Sequence, residues 1–233
     1  MIAAEHESLT NLLACAQARA NELSIKANEN GVDICLPEAQ LGFEHSFISG
    51  ALPVRARQST QALLKACNNK QRNIKNVLDL TAGWGIDSFT LAWHGQQVTL
   101  LEQNELLHAI VSYSLSRLAI DDQGAAVAAR ISIEHTNANS YLQSLDANHE
   151  YDCIYLDPMF PRHKSSAKPA KEMQILQALT ANVEIESCFE QALQTARRRV
   201  VVKRPAKAIR LSSLKPDLVY REKTIRFDIY LTR

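Results

Sequence analysis

The chain has 233 residues, 46% of them hydrophobic and 22% charged, the make-up of an ordinary globular protein with room for one domain and a modest extension but not for two full domains. No apolar run approaches the roughly 18 residues that a membrane span needs, and no basic stretch followed by an apolar one opens the chain, so a cytoplasmic protein without membrane contact is expected. The net charge of +1 hides an uneven spread: residues 1–50 carry 2 basic and 7 acidic side chains, whereas residues 161–233 carry 16 and 7, a bias that favours a polyanionic partner.

In chain order, apolar residues at helical spacing predict an amphipathic helix from about Leu9 to Leu23. Val32 to Phe47 holds two short alternating stretches broken by Pro37 and Gly42, which predicts a small hairpin. Gly50, Pro53, Arg55 and Arg57 read as a loop leading into a helix from Gln58 to Cys67. From there strand and helix alternate: strands at Val77–Leu80, Gln97–Leu101, Ile131–Glu134, Cys153–Leu156 and Val200–Lys203, with helices at Ser88–Trp93, Glu105–Leu118, Ser140–Leu145 and within Lys171–Ala196. Such alternation specifies a mostly parallel sheet covered on both faces. Two strands close the chain, Leu218–Arg221 and Ile225–Leu231, separated by a short turn and therefore an antiparallel hairpin. The expected architecture is α/β, with an N-terminal α+β extension over residues 1–57 and the main domain over 58–233. Five scattered cysteines, Cys15, Cys35, Cys67, Cys153 and Cys188, form no Cys-x-x-Cys pair and read as reduced thiols. No His, Cys and carboxylate cluster has ligand spacing, so no metal is expected.

In an open parallel sheet, ligands lie beyond the carboxyl ends of the strands. The first such position is Asp79-Leu80-Thr81-Ala82-Gly83-Trp84-Gly85-Ile86-Asp87. Gly83 and Gly85 allow a tight turn and a close ligand approach, and Glu102, 19 residues after Gly83, ends the next strand, where a carboxylate can hold ribose hydroxyls. A plain βα turn would use the same glycines. A dinucleotide fingerprint would place a third glycine where Ser88 stands and would cradle a pyrophosphate. The flanking carboxylates Asp79 and Asp87 repel a pyrophosphate and suit S-adenosylmethionine (SAM), which brings a cationic amine and sulfonium. At these residues the chain resembles the class I SAM-dependent methyltransferases.

After the fourth strand comes Tyr155-Leu156-Asp157-Pro158-Met159-Phe160-Pro161, which is similar to the Asp/Asn-Pro-Pro-aromatic motif of enzymes that methylate planar exocyclic amines. An amine conjugated with its ring is a poor nucleophile and needs a hydrogen-bond acceptor to orient it. Asp157 and the Pro158 carbonyl can supply that, and Phe160 can stack on the base. The plain alternative is a turn after a buried strand. Arg162, His163 and Lys164 follow, either a basic approach to the base or a solvated charge run; Lys203 and Arg204 are expected to face nucleic-acid phosphates with them, as are Arg55 and Arg57.

Asp79 to Asp87, Leu101-Glu102-Gln103, Tyr155 to Pro161, Lys171-Glu172-Met173, Val200 to Pro205 and Arg226 to Tyr230 together resemble the RsmJ family, the bacterial 16S ribosomal RNA guanine-N2-methyltransferases. The resemblance runs from about Ser49 to the C-terminus. It implies a Rossmann-like fold, SAM contacts at Ile86, Asp87, Glu102, Gln103, Asn139, Ser140 and Asp157, and 16S ribosomal RNA or the small ribosomal subunit as partner. Ile86 stands where the family usually has a basic residue, which leaves a backbone contact there. The rival readings are a methyltransferase of another exocyclic amine, a nicotinamide-dependent oxidoreductase, and an RNA-binding module without catalysis.

Overall fold

The structure is a computed structural model that describes residues 23–37, 40–58, 61–68, 74–146, 148–158, 170–180 and 185–232. The helix expected near Leu9 to Leu23, all but its last residue, and the expected site residues Phe160, Arg162 and Lys164 lie outside the described residues.

The N-terminal part is a three-stranded antiparallel sheet, β1 (Ser24–Ala27), β2 (Val32–Leu36) and β3 (Leu41–His45), in the order β1-β2-β3. The sequence patterning predicts only a hairpin broken at Gly42, but Gly42 sits inside β3 opposite Cys35. The ladder from β2 fixes the extended backbone that the glycine alone disfavours. The expected loop over Gly50–Arg57 is instead helix α1 (Ala51–Arg57), followed by α2 (Gln61–Cys67). Pro53 falls in the first turn of α1, where its missing N–H would have no helical partner anyway, so it starts the helix rather than breaking it.

The main sheet has seven strands in the order β6-β5-β4-β7-β8-β10-β9. These are β4 (Asn76–Asp79), β5 (Gln97–Glu102), β6 (Ile131–His135), β7 (Cys153–Leu156), β8 (Arg199–Pro205), β9 (Leu218–Arg221) and β10 (Ile225–Leu231). The first five are parallel, and β10 runs antiparallel to both β8 and β9. Between them lie α3 (Ile86–Trp93), α4 (Glu105–Ala119), α5 (Ala125–Ala128), α6 (Ala138–Ser144), α7 (Lys171–Leu179) and α8 (Ile185–Thr195). The chain builds outward from β4 through β5 to β6, then returns to β7 on the other side of β4. The strand order therefore reverses between β4 and β7, the place where open α/β sheets leave a ligand crevice.

Alternation along the strands divides the core in two. Val77, Tyr155, Val201 and Phe227 face one way and pack with Phe89, Leu91 and Leu63 of α3 and α2. Leu78, Ile154, Val200 and Val202 face the other way and pack with Leu142 of α6 and Phe189 of α8. A third apolar cluster joins Val32 and Ile34 of β2 to Trp84, to Leu106 and Ile110 of α4, and to Ile175 and Leu176 of α7. Phe47 and Ala56, both before residue 58, belong to the main core; Phe47 stacks on Phe89 with ring centroids 4.6 Å apart.

Candidate active site

Strand parity decides which side chains meet at the carboxyl edge. Asp79 is level with Tyr155, and Tyr155 with Val201. Two residues further on, Asp157 follows β7 and Lys203 occupies β8, so these four alternate positions share the face of the sheet toward α3.

Asp79, the last residue of β4, is 2% exposed. Its Oδ1 accepts a hydrogen bond from Thr81 N at 3.0 Å and its Oδ2 one from Ser88 Oγ at 2.6 Å. The residue that replaces the third glycine of a dinucleotide loop therefore serves the carboxylate. Burial pushes the Asp79 carboxyl up to about 7, against the lowering effect of those two hydrogen bonds. Gly83 and Gly85 have φ of 53° and 69°, a left-handed backbone that favours glycine. A Cβ on Gly85 would also press to within 3.3 Å of Leu100 and 3.4 Å of Phe47. Glu102 closes the loop from β5: its Oε2 accepts from Gly83 N at 3.0 Å and its Oε1 from Asn104 N at 2.8 Å. Burial raises its pKa, and those backbone hydrogen bonds oppose the rise.

Helix α7 packs over this loop and is tied down at both ends. Trp84 Nε1 donates to the Glu172 carbonyl at 3.0 Å, and Asn104 Nδ2 donates to the Leu179 carbonyl at 2.7 Å. Asn104 also caps α4 through Leu106 N and Leu107 N.

Lys203 is the centre of the site. Its Nζ lies 2.7 Å from Asp87 Oδ2 and 2.9 Å from Asp157 Oδ2. Asp87 accepts a further hydrogen bond from Tyr155 OH at 2.5 Å, and Asp157 N donates to Thr81 Oγ1 at 2.7 Å. Burial acts to raise Asp87, but the Lys203 charge and the hydrogen bonds from Lys203 and Tyr155 outweigh it, and the carboxyl is held below its ordinary range. Asp157 goes the other way: burial and then the charge of Asp87 lift it, with Lys203 opposing. Burial disfavours the ammonium of Lys203, yet the two carboxylates prevail and keep it protonated. Asp157 keeps 37% of its side-chain surface open, against 22% for Asp87, so of these two Asp157 is the more open to a ligand.

The remaining expected residues divide. Ile86 and Asp87 open α3 directly after the glycine turn. Gln103 follows Glu102, and its Oε1 accepts from Asn137 Nδ2 at 2.9 Å. The Asn139 carboxamide turns toward α8, donating to Ser187 Oγ at 2.9 Å, and Ser140 is exposed on α6. Pro158 is buried beside Asp157. Arg55 is 57% exposed and 3.8 Å from Glu172, while the Arg57 guanidinium sits 4.6 Å over the Trp93 ring.

Two expectations need correction. Lys203 and Arg204 do not turn open charge toward phosphates. Lys203 is engaged by the two carboxylates, and Arg204, 5% exposed, donates its Nη2 to the Ile209 carbonyl at 2.5 Å. Both stand on a central strand whose two faces are covered, which a count of basic residues along the chain does not register. The sequence patterns give no role to Tyr155, Thr81 or Asn137, which the structure ties to Asp87, Asp157 and Gln103. The signal for Tyr155 and Lys203 was their odd-numbered parity with Asp79 and Asp157, readable only once the strand register is known.

Three carboxylates, Glu102, Asp79 and Asp157, end or follow three neighbouring strands, with a glycine turn above them and the nearest ammonium already bridged. That donor set suits a ligand with a cationic group and sugar hydroxyls and rejects a pyrophosphate, so the residues fit SAM. Among the described residues no three His, Cys or carboxylate side chains converge to hold a metal ion, and no helix is long and apolar enough to cross a membrane.

The model of a SAM-dependent methyltransferase family matches residues 10–232. The ribosomal RNA small subunit methyltransferase J of Nitrosococcus oceani is 40% identical over 190 residues, covering 80% of this chain and 75% of its own. Its namesake from Thioalkalivibrio sulfidiphilus is 37% identical over 228 residues, covering 95% and 89%. Among solved structures, the crystal structure of a SAM-dependent methyltransferase from Neisseria gonorrhoeae superposes with a TM-score of 0.71 at 28% identity, over 97% of this chain and 91% of that one.

Proposed function

The chain belongs to the SAM-dependent methyltransferase family, and from that premise we propose that it methylates the exocyclic N2 of a guanine in the RNA of the small ribosomal subunit. The names of its relatives support the RNA class, and Asp157 carries the choice of an exocyclic amine. It is the half-open carboxylate at the strand-order reversal, directly before Pro158 and beside the glycine turn.

SAM supplies an electrophilic methyl group. Gly83, Gly85 and the backbone at Ile86 would let it approach, Glu102 would take its ribose hydroxyls, and Asp79, Asp87, Gln103, Asn139 and Ser140 would line the remainder. The guanine N2 lone pair is delocalised into the ring. The Asp157 carboxylate and the Pro158 carbonyl would each accept one N–H, which turns the lone pair out of the ring plane. Phe160, three residues after Asp157, would hold the base by stacking, worth roughly 1–3 kcal/mol. Lys203 opposes the rise that burial gives the Asp157 carboxyl and holds it in place, so that its lone pairs point one way before substrate arrives. After transfer the amine carries a surplus proton, which passes to Asp157 or to water.

The test is nucleoside mass spectrometry of small-subunit RNA from cells with and without the gene, followed by labelling of the undermethylated RNA with purified protein and radiolabelled SAM. N2-methylguanine that disappears with the gene and returns with the protein supports the reading. A methylated adenine or cytosine overturns the choice of N2, and tight RNA binding without transfer of label overturns catalysis.

A further inference from the structure

We propose that the loop joining β8 to β9, residues 206–217, is the surface on which the single RNA strand flanking the target base docks. Lys207, Arg210 and Lys215 would lie on its phosphates and Ile209 against an unstacked base or sugar. The inference rests on the RNA reading of the active site and extends it to residues so far without a role.

The loop leaves the sheet at Pro205, two residues beyond Lys203, on the edge that holds Asp157. Its main chain is held from beneath by two arginines that face each other across the β8–β10 ladder, Arg204 and Arg226. Arg226 is 6% exposed; its Nη1 donates to the carbonyls of Pro205, Ala206 and Ala208 at 3.3, 3.0 and 2.8 Å. Its Nε and Nη2 meet Asp228 at 2.8 and 3.0 Å, so that charge is neutralised inside the protein. Arg204 takes the Ile209 carbonyl, and Leu211 packs against the cluster that contains Tyr230. Two buried guanidiniums thus bind four consecutive-region carbonyls of a surface loop and fix its path.

What this scaffold presents outward is specific. Lys207, Arg210 and Lys215 are exposed and Ile209 is 85% exposed, while the one acidic side chain of the loop is Asp217 at its end, which accepts from Leu231 N at 2.8 Å. An isoleucine so exposed on a loop held from beneath, flanked by cations and leaving the sheet edge that carries the carboxylate meant for an extruded base, matches a strand that offers phosphates and unstacked bases together. A base that enters the site must leave its stack, and its neighbours then present apolar faces.

The experiment compares wild type, the triple variant Lys207→Ala/Arg210→Ala/Lys215→Ala, and Ile209→Ala, all at solvent-exposed positions. The probes are unmodified small-subunit ribosomal RNA transcribed in vitro and, for the cofactor, SAM by titration calorimetry. In the triple variant, the slope of log affinity against log salt should flatten by roughly 0.7 for each lost phosphate contact, with SAM affinity at the wild-type value. Ile209→Ala should weaken RNA binding several-fold at every salt concentration and leave the slope alone. RNA should also shield Lys207 and Lys215 from acetylation by an amine-reactive ester. Unchanged RNA affinity and slope, or acetylation that RNA does not slow, overturns the docking proposal even if methylation proceeds. Docking as described with no methylation of any small-subunit RNA would instead sink the catalytic reading and leave this one standing.

Discussion

A carboxylate that is to accept hydrogen bonds from an amine must be ionised where the amine meets it, and burial works against that for Asp157. Lys203 supplies the countervailing charge. On the proposed reading, Asp157→Ala should fold and keep part of its SAM affinity while losing on the order of 10² to 10⁴ in labelling rate, the scale of other positioned proton-handling groups. Lys203→Met removes the charge that lowers Asp157, so the acid limb of the pH–rate profile should move to higher pH, and Lys203→Arg should bring it part of the way back. A Met variant with an unmoved acid limb would confine Lys203 to a structural role.

Stability carries a second test with two opposed signs. Asp79 rises from 3.8 to about 7 on folding, chiefly through burial. The native state therefore takes up a proton that the unfolded chain does not, and stability increases as pH falls from 7 toward 4. His45 is buried between the Trp84 carbonyl and Ser114 Oγ, each 2.8 Å from a ring nitrogen. Burial, against the hydrogen bond to Trp84, lowers it from 6.5 to about 4, so its contribution is intact above 6.5 and is lost as pH falls through that window. Each slope approaches about 1.4 kcal/mol per pH unit, and in the wild type the two largely cancel. Urea denaturation of the SAM-free protein between pH 7 and 5 should show Asp79→Asn losing stability on acidification and His45→Gln gaining it. Parallel curves for all three proteins would refute both assignments.

At the scale of elements, the parallel strands were legible from their alternation with helical stretches, and three of them, β4, β5 and β7, run into a chemically distinctive residue: Asp79, Glu102 or Asp157. The closing hairpin was legible to the residue, since its two alternating stretches leave room only for a turn. Less was readable where pairing partners are distant. Ser24–Ala27 has no marked alternation and becomes a strand only because β2 lies beside it. The inward aim of Lys203 depends on a register set by β7, about 46 residues earlier. The expected boundary at residue 58 follows the loop read over Gly50–Arg57, whereas packing crosses it, since Phe47 sits on Phe89. Phe47→Ala should consequently cost about 3–5 kcal/mol and should do so for the whole molecule. Trp84, in the cluster with β2, and Trp93, beside Phe89, should report one shared unfolding midpoint in single-tryptophan variants. Separate midpoints would make the N-terminal sheet an independent unit.

At the scale of the whole molecule, the groups that meet at the carboxyl edge come from far apart in the chain. Asp157 N reaches Thr81 across 76 residues and Lys203 reaches Asp87 across 116; at the opposite edge the buried Arg199 reaches the Ala66 carbonyl across 133. Contacts of such separation form late, after the loop-closure entropy between them has been overcome. Refolding from urea should therefore restore SAM binding only in the slowest fluorescence phase. A protein that binds SAM in its fastest phase would have its site built from local contacts instead.

The same long reach has a meaning during synthesis. β8 enters the sheet beside β7, and β10 then inserts between β8 and β9, so the strand carrying Lys203 gains its second neighbour only after residues 225–231 have been made. At roughly 5–20 residues per second, Asp157 emerges several seconds before that neighbour does. In that interval β8 has β7 as its one neighbour, so Lys203 stands on an edge strand and its place between Asp87 and Asp157 is braced from one side. Pairing with β10 turns the strand that carries Lys203 from an edge of the sheet into an interior strand, and the site is braced from both sides only then.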